Sequence, residues 1–255
     1  MTRHFLSFDC EGSQLAATLD EAPGTTGLLI VSGGNELRSG AWGGQAMFAA
    51  RIAAAGHPVL RFDRRGVGDS EGGNGGFRHS GPDIAAALAA FRAAAPQLTR
   101  IVGWGNCDGA SALMLMGGAG FDGLVLSNPW TIEQDDAAPP PAALRAHYAQ
   151  RLKDPRALLR LLGGKVGPRA LIASLIGALR PAPPPSSLAQ DMAKGLAGFD
   201  GKAAILLAAR DRTAQAFAAA WDKSDPRVST CPDATHSFVE PQARVWLEAR
   251  LLEAL

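Results

Sequence analysis

Six short apolar runs alternating with helical stretches constrain this chain more than any other feature it has. The runs fall at 27–32, 58–62, 100–104, 123–127, 203–208 and 227–230. Stretches with helical spacing lie at 44–55, 82–94, 110–116 and 213–221, and a last one covers 241–255. Nearly continuous apolar strands must be covered from above and below, so the alternation predicts a mostly parallel α/β sheet with helices on both faces. Pro82 fits the first turn of its helix, where a missing N–H is harmless. Two further stretches, 4–10 and 14–19, read as an antiparallel pair ahead of this array.

The rhythm breaks once. Residues 131–197 hold no strand candidate, only helical stretches rich in Leu, Ala and Arg between Pro139-Pro140-Pro141 and Pro183-Pro184-Pro185. A disordered linker is the competing reading, but Leu158, Leu159, Leu161, Leu162, Leu171, Ile172, Leu175 and Ile176 are too apolar for one. The expected organisation is a core formed by 1–130 and 198–255, with 131–197 as a helical cap inserted between strands. A chain of 255 residues is long enough to bury such a core.

The third run leads into Gly105-Asn106-Cys107-Asp108-Gly109, a Gly-x-nucleophile-x-Gly turn that enters the helical stretch at 110–116. Strand, sharp turn and helix are the context of a nucleophile elbow, in which one residue is held in a strained conformation. Glycines two residues before and after it remove side chains that would strike the neighbouring strand and helix. A tight turn around a buried, inert cysteine is the alternative. The other cysteines, Cys10 and Cys231, lie in strand-like settings and read as small buried hydrophobes. Three cysteines without CxxC or metal-ligand spacing, and no signal peptide, suggest reduced thiols in a cytoplasmic protein. No cofactor or metal is expected. A net charge of +1 gives no pull toward nucleic acid, and no run is long enough for an integral membrane segment.

Leu60-Arg61-Phe62-Asp63-Arg64-Arg65-Gly66-Val67-Gly68-Asp69-Ser70-Glu71-Gly72 is a local signature of the α/β-hydrolase superfamily. Asp63, Arg65, Gly66, Gly68 and Ser70 in such a stretch brace a loop more often than they do chemistry. Together with Gly33-Gly34, the elbow through Ser111, and His236-Ser237-Phe238, the chain resembles the type 1 exosortase A system-associated hydrolases. That resemblance implies an α/β-hydrolase fold and a hydrolase associated with exopolysaccharide gene clusters, and it names no substrate.

In α/β-hydrolase architecture nucleophile, acid and histidine follow in that order, each just past a strand. Asp211 ends the apolar run that starts at 203 and stands where the acid belongs. His236, after the last strand, stands where the base belongs. Asp135 or Asp136 is the fallback acid. His4 and His57 read as surface residues, His147 as a solvated cap residue, and His79 could line the site. The oxyanion hole should combine the backbone N–H of Asp108 with one from Val31-Ser32-Gly33-Gly34-Asn35, Gly34 first and Asn35 second.

A Cys107-His236-Asp211 triad implies hydrolysis of a small-molecule carboxylic ester or thioester through a thioester acyl-enzyme. Acyl transfer and a dienelactone-hydrolase-like reaction are the alternatives; a non-catalytic binding relative would be expected to lack a triad member. The cap carries Arg145, Arg151, Lys153, Arg156, Arg160, Lys165, Arg169 and Arg180 against Asp154 alone between 142 and 180. These read as a solvated helix face or, more sharply, as a surface for lipid- or saccharide-linked anionic substrates. Oligomeric state is not legible.

Overall fold

The computed structural model describes residues 2–133 and 186–255. Within them the chain runs β1 (Arg3–Cys10), β2 (Ser13–Asp20), β3 (Thr26–Val31), α1 (Gly44–Ala54), β4 (Val59–Phe62), α2 (Gly81–Ala94), β5 (Arg100–Asn106), α3 (Asp108–Leu115) and β6 (Gly123–Ser127). After the insertion follow α4 (Ser187–Ala197), β7 (Lys202–Ala208), α5 (Arg212–Ala220), β8 (Val228–Cys231) and α6 (Pro241–Ala254).

The strands form one sheet in the order β1-β2-β4-β3-β5-β6-β7-β8, antiparallel at β1-β2 and β2-β4 and parallel from β4 onward. Each predicted apolar run is a strand here, and the 4–10 and 14–19 stretches are the expected pair. The sheet is buried on both faces because side chains alternate along each strand. Leu29, Val31, Leu60, Phe62, Leu124 and Leu126 face one core, closed by Ile84 and Phe91 of α2, Leu113 of α3, Met192 of α4 and Phe217 of α5. Their neighbours Leu28, Ile30, Val59, Val102 and Val125 face the other, closed by Phe48 and Ile52 of α1 and Leu247 and Leu251 of α6.

The cap expected at 131–197 lies mostly outside the described residues. Its last part, α4, is described, and it packs Leu188, Met192 and Leu196 into the sheet-covering core. The two described edges of the insertion are tied together: Ser186 Oγ donates to the Thr131 carbonyl at 3.1 Å, and Glu133 accepts from Ser187 Oγ at 2.5 Å and Leu188 N at 3.0 Å.

The loop after β4 is braced as its sequence suggested. Asp63, fully buried, accepts from Arg38 N at 2.5 Å and Asp69 N at 3.2 Å, and pairs with the Arg38 guanidinium. Ser70 Oγ donates to the Asp63 carbonyl at 2.7 Å and accepts from Ala16 N at 2.9 Å, tying the loop to β2. Asp63→Ala would leave the largely buried Arg38 without its main partner. Breaking such a pair costs about 3 kcal/mol or more. A urea titration should show that loss as a lower midpoint at unchanged slope; a midpoint equal to wild type would mean the loop is held by other contacts.

Candidate active site

The chain reverses direction in the strand order at β3 and β5, since β4 lies to one side of β3 and β5 to the other. Loops leaving the carboxyl ends of strands at such a switch point frame a crevice. Cys107 sits there. β5 ends at Asn106 and α3 starts at Asp108, so Cys107 alone makes the turn, with φ 59° and ψ −128°. A non-glycine residue in that conformation costs about 1–3 kcal/mol of strain and persists only where its surroundings over-determine it. They do: its N–H donates to Ser127 O at 2.9 Å, and its carbonyl accepts from Ala110 N at 3.1 Å and Trp130 N at 3.3 Å. A Cβ on Gly105 would stand 2.5 Å from Ala110 N, and one on Gly109 would strike the Val31 carbonyl. Both glycines are therefore required by contact.

The structure brings Asp211 and His236 together. His236 Nδ1 is 3.0 Å from Asp211 Oδ2. The same oxygen accepts from Ala214 N at 2.9 Å, because Asp211 caps α5. A helix N-terminus thus fixes the carboxylate that orients the imidazole. With Nδ1 on Asp211, the ring also interacts with the Cys107 side chain. Burial works against charge on His236, yet the hydrogen bonds and charges of Asp211 and Cys107 outweigh it and raise the imidazole to about 10.

Asn128 was not singled out in the sequence and is the joint of the site. It is fully buried, with φ 46°, and its side chain serves three loops. Nδ2 donates to Asn106 Oδ1 at 3.1 Å and to the His236 carbonyl at 2.9 Å, and Oδ1 accepts from Ala208 N at 2.8 Å. One amide therefore holds the elbow strand, the histidine loop and the acid strand in register. Its only sequence signal is position, directly after the fourth apolar run.

The expected anion-binding corner is occupied by the chain itself. Gly33 backs onto the elbow so closely that a Cβ would lie 2.5 Å from Asn106 O and 3.0 Å from Cys107 Cβ. Gly34, the first-choice donor, gives its N–H to Asp108 Oδ1 at 2.5 Å. Asp108 thus turns inward, toward the loop, with its side chain only 17% exposed. Burial pushes its carboxyl up, opposed by Arg64 and by the Gly34 N–H. Asn35 is exposed and accepts from Asn74 Nδ2 at 2.8 Å. Glu36 also lies in this corner: burial raises its carboxyl, and it feels His236 and Asp108. Neither Glu36 nor Arg64 was picked out from the sequence, since both sit in loops where only the fold brings them near Cys107.

The remaining candidates separate by place. Cys10 and Cys231 are buried. Burial, followed by Asp83, pushes the Cys10 thiol up to about 11, and burial raises Cys231. His4 lies 3.1 Å from Glu21 at the surface, and His57 contacts the Thr26 carbonyl at 3.1 Å. His79 lines a pocket beside the site. Asp135, Asp136, His147 and the basic cap residues lie outside the described residues. Among the described residues, no helix is long and apolar enough to cross a membrane, and no group of His, Cys, Asp and Glu could hold a metal.

Residues 28–249 match the model of the alpha/beta hydrolase family, and the chain belongs to that family. Its fold is shared with solved structures at low identity. Esterase Pf2001 of Pyrococcus furiosus is 16% identical over all of this chain and 89% of that one, with a TM-score of 0.60. XC6422 of Xanthomonas campestris, described as a serine hydrolase without a lid, is 16% identical over all of this chain and 94% of that one, also at 0.60. Est1E of Butyrivibrio proteoclasticus, solved with ferulic acid, is 17% identical over 98% of each chain at 0.60. No curated protein matches the sequence.

The His236 environment gives a titration to measure. Its folded value, about 10, lies above the 6.5 of a free imidazole. Its contribution to stability is therefore complete below about pH 6.5 and is lost as pH rises through 10. Removing one partner in Cys107→Ala should move the His236 NMR titration to lower pH. An unchanged midpoint would mean that Cys107 does not interact with the ring.

Proposed function

We propose that this α/β hydrolase cleaves carboxylic esters or thioesters with Cys107 as nucleophile, His236 as base and Asp211 as the orienting acid. The observation that carries the reading is the series Asp211–His236–Cys107, in which both Asp211 and Cys107 act on the imidazole, ending at a strained elbow. His236 Nε2, whose raised value favours its protonated form, takes and holds the thiol proton, and the sulfur then attacks the carbonyl carbon. Collapse of the tetrahedral intermediate expels the alcohol or thiol, which receives that proton from His236, and leaves a thioester on Cys107. Water, deprotonated by His236, then cleaves the thioester and restores the thiol.

Backbone N–H groups of Asp108 and Gly34 stabilise the intermediate's oxyanion in this scheme. The Asp108 carboxylate must leave the Gly34 N–H for that donor to act. The reading also places the part of 131–197 before α4 as a cap over the crevice, because the chain enters it from half-buried Trp130, which is bonded to both the Cys107 carbonyl and Ser111. A cap of this kind shapes the substrate pocket and excludes water. The basic residues of the insertion, from Arg145 to Arg180, suit a lipid- or saccharide-linked anionic substrate.

Intact-mass spectrometry after exposure to 4-nitrophenyl acetate should show one added acetyl group, located on Cys107 by peptide mapping. Cys107→Ala should lack the adduct and lose several powers of ten in turnover. His236→Ala should lose nearly as much, whereas Asp211→Asn should keep a residual rate, since nucleophile and base remain. Wild-type turnover in Cys107→Ala would overturn the assignment. Near-normal kinetics in Asp211→Asn would move the acid to Asp135 or Asp136.

A further inference from the structure

The residue after the nucleophile carries a carboxylate into the corner where a tetrahedral intermediate needs donors. Asp108 is the first residue of α3, where the helix dipole already favours a negative charge. Its side chain nevertheless reaches across to the loop after β3, and Oδ1 accepts from Gly34 N at 2.5 Å. The backbone there is shaped to admit it. A Cβ on Gly33 would stand 3.3 Å from that oxygen and 3.0 Å from Cys107 Cβ. Gly34 has φ 55°, a conformation that favours glycine. One stretch of backbone thus borders both the carboxylate and the nucleophile.

Asp108 is not held as a structural carboxylate is. Asp63, fully buried, takes hydrogen bonds from Arg38 N, Asp69 N and the Arg38 guanidinium. Among the described residues Asp108 takes one, from Gly34. That bond is strong, because a charged acceptor roughly doubles a hydrogen bond, so a neutral ester carbonyl does not displace it readily. Nor is the contact sealed: Gly34 is exposed, and 17% of the Asp108 side chain meets solvent. A second partner is also within reach. Arg64 Nη2 lies 3.6 Å from the same Asp108 oxygen, just beyond hydrogen-bond range. That nitrogen bears two hydrogens, and its one bond is to the Gly34 carbonyl.

We infer that the Asp108 carboxylate is a built-in inhibitor of the reaction, holding in the resting enzyme the Gly34 N–H that the oxyanion needs. The inference rests on the ester-hydrolase reading of Cys107 and deepens it by naming what restrains that site. Asp108 then plays two opposed parts. Its backbone N–H is one oxyanion donor, while its side chain competes with the oxyanion for the other. Turnover waits on the carboxylate leaving Gly34, with Arg64 as the nearest cation to receive it. Removing the side chain keeps both donors and ends the competition, so a substitution beside the nucleophile should speed the reaction.

The test uses the full chain and the second-order rate constant for acylation of Cys107 by 4-nitrophenyl acetate. Asp108→Ala should acylate faster by about tenfold or more, since one oxyanion donor is worth about a hundredfold or more in rate. Losing a negative charge beside the thiol also makes the thiol more reactive. Each protein is therefore alkylated in parallel with 2-iodoethanol, which reacts at carbon, releases iodide and forms no oxyanion. Alkylation of Cys107 should change far less than acylation. Asp108→Asn keeps the shape of the side chain and offers only a neutral acceptor, so it should show a smaller gain in the same ratio. It also decides the matter if circular dichroism shows that the alanine variant does not fold. Acylation and alkylation rising together would place the effect on the thiol and overturn the inhibitory role, as would a folded variant that acylates no faster than wild type. Cys107 acylated without the gain sinks this role alone, whereas no acylation in wild type or variant sinks the hydrolase reading.

Discussion

The site depends on one residue being held at positive φ between β5 and α3. Cys107 can occupy that turn because Gly105, Gly109 and Gly33 leave room for the backbones packed around it. The strain is held by bonds to Ser127, Ala110 and Trp130, which come from the next strand, the helix and the loop entering the insertion. Strand, helix and loop must therefore all be in place before the thiol is presented. The parallel register of β3, β5 and β6 is what sets them there.

Asn128 extends that constraint from Cys107 to the loops around it. A fully buried amide is expensive unless satisfied, and this one is satisfied only when β5, β7 and the His236 loop are correctly aligned. Asp211 is fixed by a different device, the N-terminus of α5. The Asp211 carboxylate is thus fixed by a backbone N–H, and the His236 loop by the Asn128 amide.

Charge in the crevice is less evenly matched than packing. Asp63 and Arg38 neutralise each other inside the loop after β4, and Arg65 does the same with Asp83 and Glu11. Arg64 and Asp108 face each other without closing a hydrogen bond, each bonded to the Gly34 backbone.

Much of this could be read from the chain. The strands, the elbow, Asp211 and His236 were legible because each is a local signal: apolar runs, glycine spacing, and a polar residue just past a strand. α4 was less so. Its apolar spacing was visible, but its place in the core under the sheet depends on contact with α3, which no local pattern encodes. Asn128, Glu36 and Arg64 were invisible for the same reason, since their partners lie far away in sequence and nothing in their own neighbourhoods marks them. Nor could the sequence choose an orientation for Asp108, whose inward turn depends on a Gly34 N–H 74 positions earlier and on the burial of that corner. Periodicity and turn chemistry, which act over a few residues, determined the fold class and the position of the elbow. Hydrogen-bond pairing and desolvation, which act across the sheet edge, were decided only by the tertiary structure.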